Sequence, residues 1–117
     1  MRKGRKEKIP HDDYFRIEYL ILSSLYESIR KGEQPDLGAL NYKSLGIPAA
    51  YWQFILESLS NSSYVSGVSV LSPKQGRMID ISEIRITRAG IAYLQDNTKM
   101  KKAAAFLKEA KEIMPGL

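Results

Sequence analysis

Residues 47–86 read IPAAYWQFILESLSNSSYVSGVSVLSPKQGRMIDISEIRI, and this stretch decides the fold. Trp52, Ile55, Leu56 and Leu59 recur at the spacing of one apolar helix face. Asn61, Ser62 and Ser63 then stop the helix, because their side chains compete for backbone hydrogen bonds. Tyr64, Val65, Val68 and Val70 are strand formers, and Ser72, Pro73 and Gly76 punctuate a turn flanked by Lys74 and Arg77. On the return strand Ile79 and Ile81 alternate in one parity, Ile84 and Ile86 in the other. A regular strand cannot bury both pairs on one face, so a bulge or break is expected at Ser82 and Glu83. A helix followed directly by a hairpin is the core of a winged helix-turn-helix when helices precede it.

They do. Asp12 or Asp13 is a suitable N-cap for a first helix from about Tyr14 to Lys31. Its apolar face holds Tyr14, Ile17, Ile21, Leu22, Leu25 and Ile29, and Gly32 follows its end. Pro35 and Gly38 oppose helix, so Gln34 to Leu37 is read as a short extended piece able to join the hairpin as a third strand. Asn41 caps a brief second helix, Tyr42 to Leu45, which Gly46 ends. Pro48 is tolerated in the first turn of the third helix. After the hairpin, Thr87 caps a fourth helix, Arg88 to Gln95, with Ile86 and Ile91 placed to form a hydrophobic staple. Asp96 and Asn97 end it. Thr98 can cap a fifth helix, Lys99 to Met114. The fifth helix has one face of Met100, Ala103, Ala104, Leu107 and Ala110. That face packs on the same domain or pairs with a second subunit as a homodimer. Lys101, Lys102, Lys108, Glu109 and Glu112 lie opposite.

The expected fold class is therefore α+β and mainly helical, a winged helix-turn-helix with a two- to three-stranded antiparallel wing and C-terminal helices. A basic tail, residues 1–9, precedes a single domain, residues 10–117.

The 117 residues suit one domain, and 44% hydrophobic content supports a core. No apolar run approaches the roughly 18 residues of a membrane helix. No apolar signal region follows the basic N-terminus. There are no cysteines, which excludes disulfides, thiol catalysis and zinc–thiolate sites and fits a cytoplasmic location. The net charge of +5 is uneven. Residues 1–8, MRKGRKEK, carry +4, and the remaining chain only +1. High pI therefore argues for nucleic acid only through the tail.

The segments resemble the YjcQ protein family. The resemblance lies in Leu45–Gly46–Ile47, in Trp52, Ile55, Leu56 and Leu59, and in Tyr64–Val65–Ser66–Gly67–Val68. It continues in Ile86 to Leu94, then Asn97, Met100, Lys101 and Lys102. It covers roughly residues 13–114 and is mostly a packing signature. It implies a small phage- or prophage-associated protein of winged-helix fold, and says little of chemistry. The chain departs from the pattern at Pro48, where a small hydroxyl N-cap is expected, and in its basic tail.

Enzyme signals are absent: no phosphate loop, no Cys–His pair and no metal-ligand spacing. His11, the only histidine, sits beside Asp12 and Asp13, and three adjacent residues do not converge on one ion. Asp80 and Glu83 read as solvated strand charges. A non-catalytic protein without a cofactor is expected.

Double-stranded DNA is the leading partner. The third helix should present Ala50, Gln53, Glu57 and Ser60 outward, with Gln53 able to contact adenine. No lysine or arginine occurs from Ser44 to Pro73. Phosphate contacts must come from Lys43, from Lys74 and Arg77 on the wing, and from Arg2, Lys3, Arg5 and Lys6 in the tail. The alternative is a protein-interaction module. Tyr51 and Phe54 either complete the core or form an exposed aromatic patch for a protein partner.

Overall fold

The computed structural model describes residues 13–72, 74, 76 and 78–109, with the side chain of Glu109 excepted. Five helices and four short strands follow in order: α1 (Asp13–Lys31), α2 (Tyr42–Leu45), α3 (Ala49–Asn61), β1 (Val65–Ser66), β2 (Ser69–Leu71), β3 (Met78–Asp80), β4 (Arg85–Ile86), α4 (Arg88–Asp96) and α5 (Thr98–Glu109). The chain is thus α+β and mainly helical, with two small antiparallel sheets.

The helices form where apolar spacing and caps agree. Ile17, Ile21, Leu22 and Leu25 of α1 meet Trp52, Ile55, Leu56 and Leu59 of α3 in one buried cluster. Ile29, placed on the same apolar face by spacing, is 47% exposed. It lies in the last turn of α1. Asp13 is the first residue of α1 and pairs with Arg16, and Asp12 lies outside the described residues. The side chain of Asn41 accepts the Ser44 N–H at 2.8 Å and starts α2, and Gly46 closes it. Pro48 is the N-cap of α3, one position before the first turn, and its carbonyl accepts from the Trp52 N–H at 3.0 Å.

Residues 33–41 form no strand, and the hairpin has no third partner among the described residues. Asp36 instead closes a turn, accepting from the Ala39 N–H through its carbonyl and its carboxylate. Leu40 is buried, and the Trp52 indole donates to its carbonyl at 2.8 Å. A buried indole N–H needs an acceptor, and this bond draws the segment onto α3 rather than onto the sheet.

The α3 terminus is a Schellman motif. The Tyr64 N–H donates to Leu59 and the Ser63 N–H to Ser60, with Ser63 held at φ 65°. A serine in this left-handed region is strained. Ser63→Gly is expected to raise stability by about 0.5–1 kcal/mol, read as a higher thermal midpoint.

The hairpin breaks where the isoleucine parity changes. β1 pairs with β4 through Val65↔Ile86, and β2 with β3 through Val70↔Ile79. Between them Ser82 and Glu83 form a turn, with the Ile84 N–H donating to the Ile81 carbonyl at 3.0 Å. Ile81, Ile84 and Ile86 are all buried as a result. Gly67 faces this turn at φ 80°, and a Cβ there would lie 1.9 Å from the Glu83 carbonyl oxygen. Only glycine allows the two backbones to approach so closely.

Thr87 starts α4, accepting from the Gly90 N–H at 2.9 Å. Asn97, rather than Thr98, starts α5: its side chain accepts from the Lys99 N–H at 2.8 Å and from the Met100 N–H at 3.3 Å. The amide oxygen of Asn97 reaches both orphan donors, so Thr98 becomes the first helical residue. The expected continuation of α5 to Met114 falls outside the described residues. Met100, Ala103 and Leu107 are buried within the single chain, Met100 fully, as α5 packs on α1 and α4. Ala104 is half-buried, and Ala110 lies outside the described residues.

Candidate nucleic-acid interface

The sequence-derived candidates are dispersed. Lys43, in the four-residue α2, is exposed, as is Lys74 in the turn joining β2 to β3. Arg2, Lys3, Arg5, Lys6 and Arg77 lie outside the described residues.

Gln53 is half-buried rather than outward-facing. The reason is angular. Each residue advances about 100° round a helix, so Gln53 lies only about 100° from the buried Trp52. Phe54 lies about 200° away and occupies the outward face, with Ala50. Phe54 is 60% exposed and so does not complete the core. Glu57 and Ser60 are half-buried. The helix that would enter a groove thus presents an aromatic ring at its centre and no cation.

Tyr51 is half-buried, and its hydroxyl donates to the Asp13 carboxylate at 3.2 Å. Burial, followed by the Asp13 charge, pushes its phenol up to about 12. Asp13, Arg16 and Tyr51, with Ile17, Leu20 and Leu45, line a cavity of about 730 Å³ between α1 and the α2–α3 turn. None of the described basic candidates lines it.

The outer hairpin projects from the core. Ser69, Val70 and Leu71 are all exposed, as are Met78 and Asp80, while Ile79 is half-buried. Leu71 and Met78 are direct cross-strand partners, at 48% and 56% exposure. The Asp80 carboxyl is held below its ordinary range by hydrogen bonds from Ser82, so it stays charged at neutral pH.

A second basic surface escaped the sequence reading as a site. Lys99, Lys101, Lys102 and Lys108 of α5 are exposed. Their number was legible, but which flank of α5 stays open depends on how the helix packs. The described residues contain no cluster of three or more His, Cys, Asp or Glu able to hold a metal ion. None of their helices is long and apolar enough to cross a membrane.

No curated protein and no solved structure matches the chain. The family model described as YjcQ protein matches residues 19–113, from within α1 through α5. By that match over most of its length, the chain belongs to the YjcQ protein family.

Proposed function

We propose that this protein is a non-catalytic winged-helix DNA-binding or transcription-regulatory protein of phage or prophage type. One observation carries the reading: the short helix α2, a tight turn and α3 are followed by a hairpin whose outer half is exposed and bears Lys74 at its turn. In that arrangement α3 faces the major groove and the hairpin, as the wing, meets the backbone. Lys43 and Lys74, with Arg77 and the basic residues of the tail, supply phosphate contacts. Base reading is limited, since Gln53 is half-buried.

The test is anisotropy of a random-sequence duplex with the full chain, at low and near-physiological salt. Joint replacement of Lys74 and Arg77 by alanine is expected to weaken binding at every sequence and to reduce the salt slope by about 2. Unchanged affinity and slope would remove the wing from DNA.

A protein-interaction role is the second reading, favoured by the exposed Leu71–Met78 pair on the hairpin. Opposed apolar side chains at a projecting edge suit a partner surface better than a phosphate backbone. That role predicts a stable protein complex without salt-sensitive duplex binding.

A further inference from the structure

The exposed side chains described on α5 are Thr98, Lys99, Lys101, Lys102, Ala105, Phe106 and Lys108. Four of these are cations. The ion pairs between described residues join Arg16 to Asp13 and Arg30 to Glu27, so these lysines have no ionic partner among them. A turn of about 100° per residue puts Lys99, Lys102 and Phe106 within about 60° of one another, on one flank of the helix.

That flank meets the first turn of α1. The Lys99 ammonium lies 5.6 Å from the centre of the Phe15 ring, and the Arg16 guanidinium lies 5.5 Å from the centre of the Phe106 ring. Phe15 meets Tyr14 edge to face at 5.2 Å, and Tyr14 reaches Phe54 at 6.0 Å. A continuous strip of rings and cations therefore links α5, the start of α1 and the outward face of α3. Phe54 and Phe106 remain 60% and 38% exposed along it. The basic residues 1–8 join the chain at this same end of α1, separated from Asp13 by residues 9–12.

Two features of the strip call for one partner. Exposed lysines attract a polyanion, and exposed rings gain by stacking. A duplex backbone offers phosphates but keeps its bases stacked inside. An apolar peptide offers contacts for the rings but nothing for the lysines. Single-stranded nucleic acid offers both, because every unpaired base has a π-face beside a charged backbone.

We infer that this strip binds single-stranded nucleic acid. Phe54 and Phe106 stack unpaired bases, and Lys99 and Lys102 contact the phosphates. The face is distinct from the hairpin, shares the outward side of α3 with the duplex reading, and does not rest on that reading.

The experiment is anisotropy of a labelled oligothymidylate about 15 nucleotides long, and of its duplex, with the full chain at two salt concentrations. The strand should bind more tightly than the duplex. Phe106→Ala should weaken strand binding about tenfold and leave duplex binding unchanged, while Phe106→Trp restores or tightens it. Joint replacement of Lys99 and Lys102 by alanine should lower the strand's salt slope by about 0.7 per lost contact. Lys74→Ala should leave strand affinity unchanged, which separates this face from the wing. Absence of strand binding, a strand held no more tightly than the duplex, or equal strand affinity for the wild type, Phe106→Ala and Phe106→Trp would each overturn the inference.

Discussion

Replacing Gly90 with alanine is expected to destabilise the protein by about 2–3 kcal/mol, although alanine is the better helix former. Propensity alone predicts a gain of about 1 kcal/mol inside a helix. Packing opposes it. A Cβ at Gly90 would lie 2.1 Å from the Tyr64 carbonyl oxygen and 2.8 Å from Cγ1 of Ile86. The carbonyl cannot easily withdraw, since it accepts from the Thr87 N–H at 3.0 Å. The Thr87 hydroxyl in turn donates to the Ser63 carbonyl at 2.6 Å while accepting from Gly90 itself. Relief of the clash would move α4 off the end of α3 and disturb these bonds together. Urea unfolding of the Gly90→Ala variant should show a lower midpoint with an unchanged slope. A midpoint equal to or above wild type would mean that α4 moves freely against Tyr64.

Tyr93→Phe is expected to cost about 2–3 kcal/mol at neutral pH, and less in acid. Glu18 is 4% exposed on α1 and is the buried charged residue among those described. The Tyr93 hydroxyl donates to it from α4 at 2.6 Å, and Tyr14 is also hydrogen-bonded to it. Burial raises the Glu18 carboxyl above its ordinary value of 4.5, and the tyrosine hydrogen bonds only partly counter this. The same burial, reinforced by Glu18, raises the Tyr93 phenol, so it remains a donor. Phenylalanine keeps the ring that stacks on Tyr64 at 4.2 Å and removes the hydroxyl alone. The ionised carboxylate then loses its short charge-assisted partner.

The pH dependence follows from the direction of the Glu18 shift. The folded protein holds this proton more tightly than the unfolded chain. Its contribution to stability is therefore fully present below 4.5 and is lost as pH rises through the higher folded value. Glu18→Gln keeps an acceptor for Tyr93 without the charge, and should flatten this part of the stability profile. Thermal midpoints of wild type, Glu18→Gln and Tyr93→Phe between acid and neutral pH check both statements. A Tyr93→Phe loss that is equal across that range would dissociate the hydroxyl from the charge of Glu18.

Much of the secondary structure was legible because its causes are local. The spacing of Trp52, Ile55, Leu56 and Leu59 fixes a helix face whatever lies opposite it. Asn41 and Thr87 each bond an amide three residues on, within the same segment. The parity change between Ile81 and Ile84 requires a break in the strand before any partner is known.

The features that went unread depend on long-range neighbours. The extended piece near Leu37 could have joined the hairpin on backbone grounds, but the Trp52 indole held Leu40 against α3 instead. Asn97 and Thr98 are both able to cap, and the observed geometry chose the longer amide. Phe54 and Tyr51 were alike as aromatic neighbours of one stripe. The position of α1 left the first in solvent and gave the second the Asp13 carboxylate. Glu18 is an ordinary helix residue until the fold brings Tyr93, 75 positions away, to its carboxylate. By itself, then, the sequence determined the helices, the hairpin and the break within it, because periodicity and capping act over a few residues. Only the tertiary structure decided which aromatic rings and lysines stay open to a partner, since exposure is set by what packs opposite.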